Sequence, residues 1–315
     1  MNLDSRIFVA GHNGMVGSAI ARRLEQLGYK NIITADRRET DLKSQAETNR
    51  FFELTKPEYV FLAAAKVGGI HANQTYKASF IYDNLMIQSN VIEAARFHGA
   101  KKLLFLGSSC IYPKMCPQPI KEEYLMTGAL ESTNDAYAIA KIAGIKLCQS
   151  YNEQYGTNFI SAMPTNLYGP NDSYDLDNSH VLPAMIRKFH EAKLGGKDSV
   201  EIWGTGTPKR EFLYVDDLAD ACVFLMNAYS GSEIVNIGTG EDVTIADLAT
   251  AVSIAVGYEG GIHFNTSMPD GTPRKLMDVS KLERIGWKHK TSLKEGIEKT
   301  YNNYKSVIIT GIEGF

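Results

Sequence analysis

Ile7-Phe8-Val9-Ala10-Gly11-His12-Asn13-Gly14-Met15-Val16-Gly17 is the stretch that decides the fold. Four apolar residues in a row read as a strand, and the glycines after them turn the chain into a helix from Ser18 to Gly28 with Ile20 and Leu24 on one face. Each glycine has its own reason. Gly11 makes the tight turn, Gly14 lets the main chain come close to a pyrophosphate, and Gly17 lets the helix pack tightly on the strand. The free amides and dipole of the helix start favour an anion, and Met15 and Val16, inside the turn, are expected beside the cofactor.

The same punctuation recurs down the first half of the chain. Ile32 to Ala35, Tyr59 to Ala63, Leu103 to Leu106 and Phe159 to Met163 are strand-like runs separated by helical patterns. This alternation predicts an α/β fold: a Rossmann-type doubly wound parallel sheet with helices on both faces, followed by a smaller C-terminal α/β substrate lobe. With 315 residues, 44% hydrophobic and 22% charged, the chain is long enough for both. A net charge of -3 makes no electrostatic case for nucleic acid. No apolar run approaches the ~18 residues that span a bilayer, and Met1 to Arg6 enters the first strand without an apolar leader. A cytoplasmic protein with no membrane or nucleic-acid partner is expected.

Cys110, Cys116, Cys148 and Cys222 show neither zinc-site nor redox-pair spacing, and no metal is expected. Cys148 and Cys222 lie in helical patterns beside apolar neighbours and read as buried thiols. Cys110 closes Gly107-Ser108-Ser109-Cys110 at the carboxyl end of an apolar strand, where open parallel sheets bind ligands. Further on comes Tyr137-Ala-Ile-Ala-Lys141. Residues four apart on a helix lie one turn above each other, so Lys141 can favour the phenolate of Tyr137, which otherwise ionises near pH ~10. Spacing alone does not carry this, because Tyr301 and Lys305 repeat it with no serine strand before them. Glycine turn, serine at a strand end and tyrosine helix, in that order, point to hydride transfer.

The Gly-x-x-Gly-x-x-Gly spacing, with the downstream Tyr-x-x-x-Lys, resembles the extended short-chain dehydrogenase/reductases. The resemblance implies that Ser108 orients a substrate carbonyl, that Tyr137 gives or takes the proton, and that Lys141 lowers the tyrosine pKa and contacts the nicotinamide ribose. Gly107 to Pro113, Tyr137 to Gly144, Met163 to Pro170, Asn178 to Val181, Trp203 to Phe212 and Pro269 to Lys275 narrow it, over nearly the whole chain, to the branch acting on GDP-4-keto-6-deoxy-mannose. An NADPH-dependent C4 reductase that also epimerises C3 and C5 is then implied, with Cys110 and His180 as base and acid. Protons α to a ketone are acidic enough for a thiolate to remove, and an imidazole can return one to the opposite face. The runner-up is a C4 reductase without epimerase activity on a related GDP-4-keto sugar such as a heptose.

Asp36-Arg37-Arg38 follows the second strand. An acid there binds a free ribose 2'-hydroxyl and an arginine neutralises a 2'-phosphate, and both are present. The resemblance favours NADP over NAD, although such enzymes commonly carry arginine where this chain has Asn13. It places Asn166 and Leu167 at the nicotinamide carboxamide, and Lys188, Trp203, Arg210 and Lys275 at the GDP moiety. Arginine is frequent at the position of Lys188, and lysine keeps the charge but loses the bidentate fork. Residues 1–170 plus about 215–250 are expected to form the dinucleotide domain, and about 171–214 plus 251–315 the nucleotide-sugar domain. A homodimer is implied through helices around Ile81 to His98 and Ala136 to Tyr155.

Overall fold

Alternate residues of the first strand go to opposite faces of one sheet in the computed structural model, which describes residues 1–176, 179–268 and 270–310. β1 (Arg6–Ala10) sends Ile7 and Val9 into one hydrophobic cluster and Phe8 and Ala10 into another. A strand covered on both sides needs no polar alternation, which is why it reads as an unbroken apolar run. Asn178 and Pro269 of the motifs above lie outside the described residues.

From β1 the chain runs through α1 (Met15–Gln26), β2 (Asn31–Ile33), α2 (Gln45–Thr55), β3 (Tyr59–Leu62), α3 (Ile70–Thr75), α4 (Lys77–Phe97), β4 (Lys102–Leu106), α5 (Asp135–Tyr155), β5 (Phe159–Pro164) and β6 (Asn166–Tyr168). It continues through α6 (Val181–Leu194), β7 (Ser199–Trp203), β8 (Lys209–Arg210), β9 (Phe212–Tyr214), α7 (Val215–Ala228), β10 (Val235–Ile237) and β11 (Val243–Thr244). Last come α8 (Ile245–Val256), β12 (Gly261–Asn265), β13 (Arg274–Lys275), α9 (Ser280–Ile285) and α10 (Leu293–Thr310).

Six strands make a parallel sheet in the order β10-β5-β4-β3-β1-β2. This Rossmann-like order lacks the further strand that would flank β2, because after Ile33 the chain passes through turns to α2. The strand expected from Ile32 to Ala35 accordingly stops at Ile33, and the helix expected from Ser18 begins at Met15 with Gly14 as its N-cap. α1 and α7 cover one face of the sheet, and α2, α4 and α5 cover the other. Strand order reverses between β1 and β3, so a ligand crevice opens at their carboxyl ends, beside the glycine turn.

A third cluster joins Leu182, Met185, Ile186 and Phe189 of α6 to Leu248 and Val252 of α8 and Ile297 of α10. Positions 182, 185, 186 and 189 form one helical stripe, and burying it against α8 and α10 makes the second lobe. Two segments lie differently from the expected division. β11 and α8 pack with the second lobe, since the apolar face of α8 completes that stripe, whereas Leu282 and Trp287 return to the first lobe. The Trp287 indole donates to Asp220 of α7 at 3.0 Å. Among the described residues, no helix is long and apolar enough to cross a membrane.

Candidate active site

Gly11 sits at φ +86°, and a side chain there would strike the main chain of Ala64 at 2.8 Å. The Gly14 amide donates back to the Gly11 carbonyl at 3.0 Å, closing the turn. At Gly17 a Cβ would lie 2.0 Å from that carbonyl oxygen, so the helix can sit this low only without a side chain. At Gly14 a Cβ would meet nothing nearer than 3.5 Å, and its position at the helix entrance leaves the main chain open to a ligand. The first turn of α1, at Met15, Val16 and Gly17, contains no acidic residue to compete for its amides. Asn13 is exposed beside it, and His12 Nδ1 is buried with no hydrogen-bond partner. At the outer edge, Arg38 donates to Asp36 Oδ1 through its amide at 2.8 Å and its Nε at 3.1 Å, which holds the Asp36 carboxyl below its usual range. Arg37 and Arg38 are exposed.

β4 delivers Ser108 and Cys110 to the crevice. Ser108 caps a short 3-10 turn, its Oγ accepting the Cys110 amide at 3.3 Å. α5 brings in Tyr137 and Lys141, and it can approach β4 closely because Gly144 lies where a Cβ would strike the Phe105 ring at 2.4 Å. Tyr137 meets Phe80 edge-on at 6.4 Å. Lys141 is only 3% exposed. Its Nζ lies 5.7 Å from the Tyr137 ring centroid, yet it donates to the Leu106 carbonyl at 2.7 Å. The lysine therefore stands beside the tyrosine as expected, but its ammonium bonds the strand end instead of the phenol. Burial, with Cys110 adding, pushes the Tyr137 phenol up rather than down, and burial lowers Lys141 to about 8.

Burial raises the Cys110 thiol, while Lys275, the Ser108 hydroxyl and Lys141 pull it back. His180 is the N-cap of α6, its carbonyl accepting the Ala184 amide at 3.2 Å. Its side chain is exposed at the surface, yet the protein packed around it, with Lys275, holds its imidazole below the usual value. Lys275 pairs with Arg210 across β13 and β8. Burial lowers its pKa and Arg210 lowers it further, against the pull of Cys110, so Lys275 lies in reach of Cys110 as well as beside Arg210. Burial lowers Arg210 too, against the pull of Asp270. Farther out, Lys188 lies 5.7 Å from the Trp203 ring centroid, and that indole is 59% exposed. Asn166 donates to the Glu211 carbonyl at 2.8 Å, with Leu167 next to it on β6.

The fold thus brings Ser108, Tyr137, Lys141 and Lys275 around Cys110, and Lys275 in turn lies beside Arg210 and acts on His180. Sequence reading assigned nothing to His12, Glu211 or Asp270. Glu211 had a signal: an acid placed between Arg210 and the apolar run Phe212-Leu213-Tyr214-Val215 enters the core.

A glycine turn at the crevice of a parallel sheet, with a tyrosine–lysine pair beside it and a second lobe, is the architecture of a dinucleotide-dependent enzyme. Residues 7–238 match the NAD dependent epimerase/dehydratase family, and the chain belongs to it. Within that class it belongs with the GDP-L-fucose synthases, being 61% identical over 301 residues to GDP-L-fucose synthase 1 of Arabidopsis thaliana, across 96% of this chain and 93% of that one. Among solved structures, a GDP-6-OMe-4-keto-L-xylo-heptose reductase from C. jejuni superposes with a TM-score of 0.93 at 43% identity, covering 97% of this chain and 99% of that one. A GDP-L-fucose synthetase from Naegleria fowleri bound to NADP superposes with a TM-score of 0.92 at 30% identity, covering 98% and 95%.

Proposed function

We propose that this chain converts GDP-4-keto-6-deoxy-mannose to GDP-L-fucose, epimerising C3 and C5 and reducing C4 with NADPH. The observation that carries the proposal is one cluster of interacting groups: Cys110 and His180 both lie in the field of Lys275, and Ser108, Tyr137 and Lys141 surround the same cysteine. The cofactor fits the chain because the cradle at Gly14 is open, the first turn of α1 carries no acid, and Gly17 lets that turn close. Asp36 is already engaged by Arg38, and Arg37 stands exposed at its side, which supports NADP over NAD. The relative from Naegleria fowleri with NADP supports it too.

Cys110 removes a proton α to the 4-keto group and His180 returns one from the other side. A thiol raised by burial becomes a base only where cations offset that burial, and Lys275 and Lys141 supply them. Below its usual pKa, the His180 imidazole is a readier donor once protonated. A bound reduced nicotinamide supplies hydride to C4. Tyr137 protonates the developing alkoxide, Ser108 holds the oxygen in place, and Lys141 braces the strand end and the cofactor ribose. A phenol pushed up by burial stays protonated, which suits a donor. Asn166 and Leu167 hold the carboxamide, while Trp203, Lys188, Arg210 and Lys275 grip the GDP.

NMR of the product formed in D2O tests this. Deuterium at C3 and C5 of a fucose-configured product is expected, and turnover without deuterium assigns a C4 reductase. That second reading, with a GDP-4-keto-heptose as substrate, has the support of the heptose reductase that superposes so closely. Cys110→Ser is expected to suppress exchange at C3 and C5 while leaving reduction of pre-epimerised substrate, and loss of both together counts against this division of labour. The active site lies between two discontinuous lobes. Two chains pair through α4 and α5, which pack on each other and leave Tyr82, Phe97, Ile139 and Tyr155 exposed.

A further inference from the structure

Glu211 is a fully buried carboxylate, 0% exposed, at the joint between the lobes. Its Oε1 accepts the amides of Thr239 at 2.6 Å and Gly240 at 2.8 Å, with the Thr239 hydroxyl at 3.4 Å. Its Oε2 accepts the amide of Met277 at 2.9 Å. Every contact on these two oxygens is a donor, an arrangement that suits an ionised carboxylate. Burial pushes its pKa up, and these hydrogen bonds pull it down. The space around it is full, since a Cβ on Gly238 would lie 2.2 Å from Oε1.

The main chain of the same residue faces the other way. Its carbonyl accepts Asn166 Nδ2 at 2.8 Å and the Thr165 hydroxyl at 3.4 Å, at the end of β5. The side chain therefore serves chiefly the segments at 239–240 and 277, with the Thr165 hydroxyl also acting on it, and the backbone holds Asn166 at the strand end.

Arg210 immediately precedes Glu211, and Lys275 lies two residues before Met277. The ladder that aligns them is two residues long, Arg274 with Lys209 and Lys275 with Arg210. A pairing that short does not fix its own register. Its far edge is held by Gln118 Oε1, which accepts the Leu276 amide at 2.8 Å, and by the Leu276 carbonyl, which accepts the Ile120 amide at 2.7 Å. On the near side Arg210 also pairs with Val243 of the equally short β11, and Glu211 ties this edge to Met277.

We propose that the Glu211 side chain is a positioning residue that holds Arg210 and Lys275 in register for the diphosphate of the bound nucleotide, independently of the cofactor site. This rests on the reading of Arg210 and Lys275 as nucleotide contacts. A purely electrostatic role has the opposite sign: removing a buried negative charge beside two cations would tighten the binding of an anion. Glu211→Gln keeps the shape but leaves one acceptor oxygen and turns an NH2 toward an amide that needs an acceptor. Gly238→Ala keeps the charge and displaces the carboxylate.

Isothermal titration of the whole protein with GDP, fluorescence titration with NADPH and thermal unfolding test the proposal. Glu211→Gln is expected to weaken GDP binding about tenfold by misplacing the two cations, with NADPH affinity held within about twofold because the backbone carbonyl is unchanged. Gly238→Ala is expected to move GDP affinity in the same direction. Unchanged or tighter GDP binding by folded Glu211→Gln overturns the proposal, and so do equal losses for GDP and NADPH. If Glu211→Gln fails to fold, Gly238→Ala decides by the same criteria. A wild-type protein that binds no GDP overturns the nucleotide reading itself, which the wild-type titration reveals before any variant is compared.

Discussion

The glycine turn and the Arg210–Lys275 pair are both proposed phosphate sites, built by opposite routes. The turn is complete within seven consecutive residues: the Gly14 amide closes on Gly11, and Gly17 lies where a Cβ would be 2.0 Å from the Gly11 carbonyl. The cation pair is assembled from Gln118, Glu211, Thr239, Gly240 and Met277, which are far apart in the chain. A local site stands on backbone geometry that nearby residues dictate. A site made of distant segments stands on buried hydrogen bonds, and a change at any of them moves its charges.

The largest effect is expected at the residue both sites serve. Tyr137→Phe should cut C4 reduction by about 10²–10⁴-fold, the range for general acid catalysis, while NADPH and GDP still bind; unchanged turnover would sink the assigned chemistry. Gly17→Ala then separates the two sites. Alanine gains about 1 kcal/mol of helix propensity, but its Cβ meets main-chain atoms that cannot swing away, an overpacking cost of about 1–3 kcal/mol or more. A net loss in urea unfolding is expected, with NADPH binding weakened and GDP binding retained. Parallel loss of both ligands would erase the distinction.

Trp203→Ala comes next, with GDP affinity falling about tenfold as the exposed stacking surface goes and NADPH titration unmoved. The smallest effect is a pH limb. Burial holds Lys141 at about 8. Its charged fraction therefore falls as pH rises through that value, and the reduction rate should fall with it. A rate profile flat across pH 8 would remove the charge of Lys141 from the reaction.

Much of the first lobe was legible. Four of the five expected strands begin and end within a residue of their positions, because strands covered on both faces are apolar throughout and a glycine closes β1 and β4. The exception, Ile32 to Ala35, ends early where no further strand takes up its edge. Tyr137 and Lys141 were legible as a helical pair, but the partner of the ammonium was not. It is the Leu106 carbonyl, 35 residues away, and no local pattern encodes it. The return of Trp287 to Asp220 and the burial of Glu211 were hidden for the same reason.

The sequence by itself determined what depends on neighbours along the chain: the order of strands and helices, the turn that only glycine can make, and the residue types that can move a proton or a hydride. Tertiary structure alone decided what depends on burial. It sent Lys141 to a strand carbonyl, put Lys275 in the field of Cys110 and His180, and closed three amides onto Glu211. Removing a charge or a hydrogen-bonding group from water makes its few partners decisive, and those partners come from wherever the fold brings the chain back.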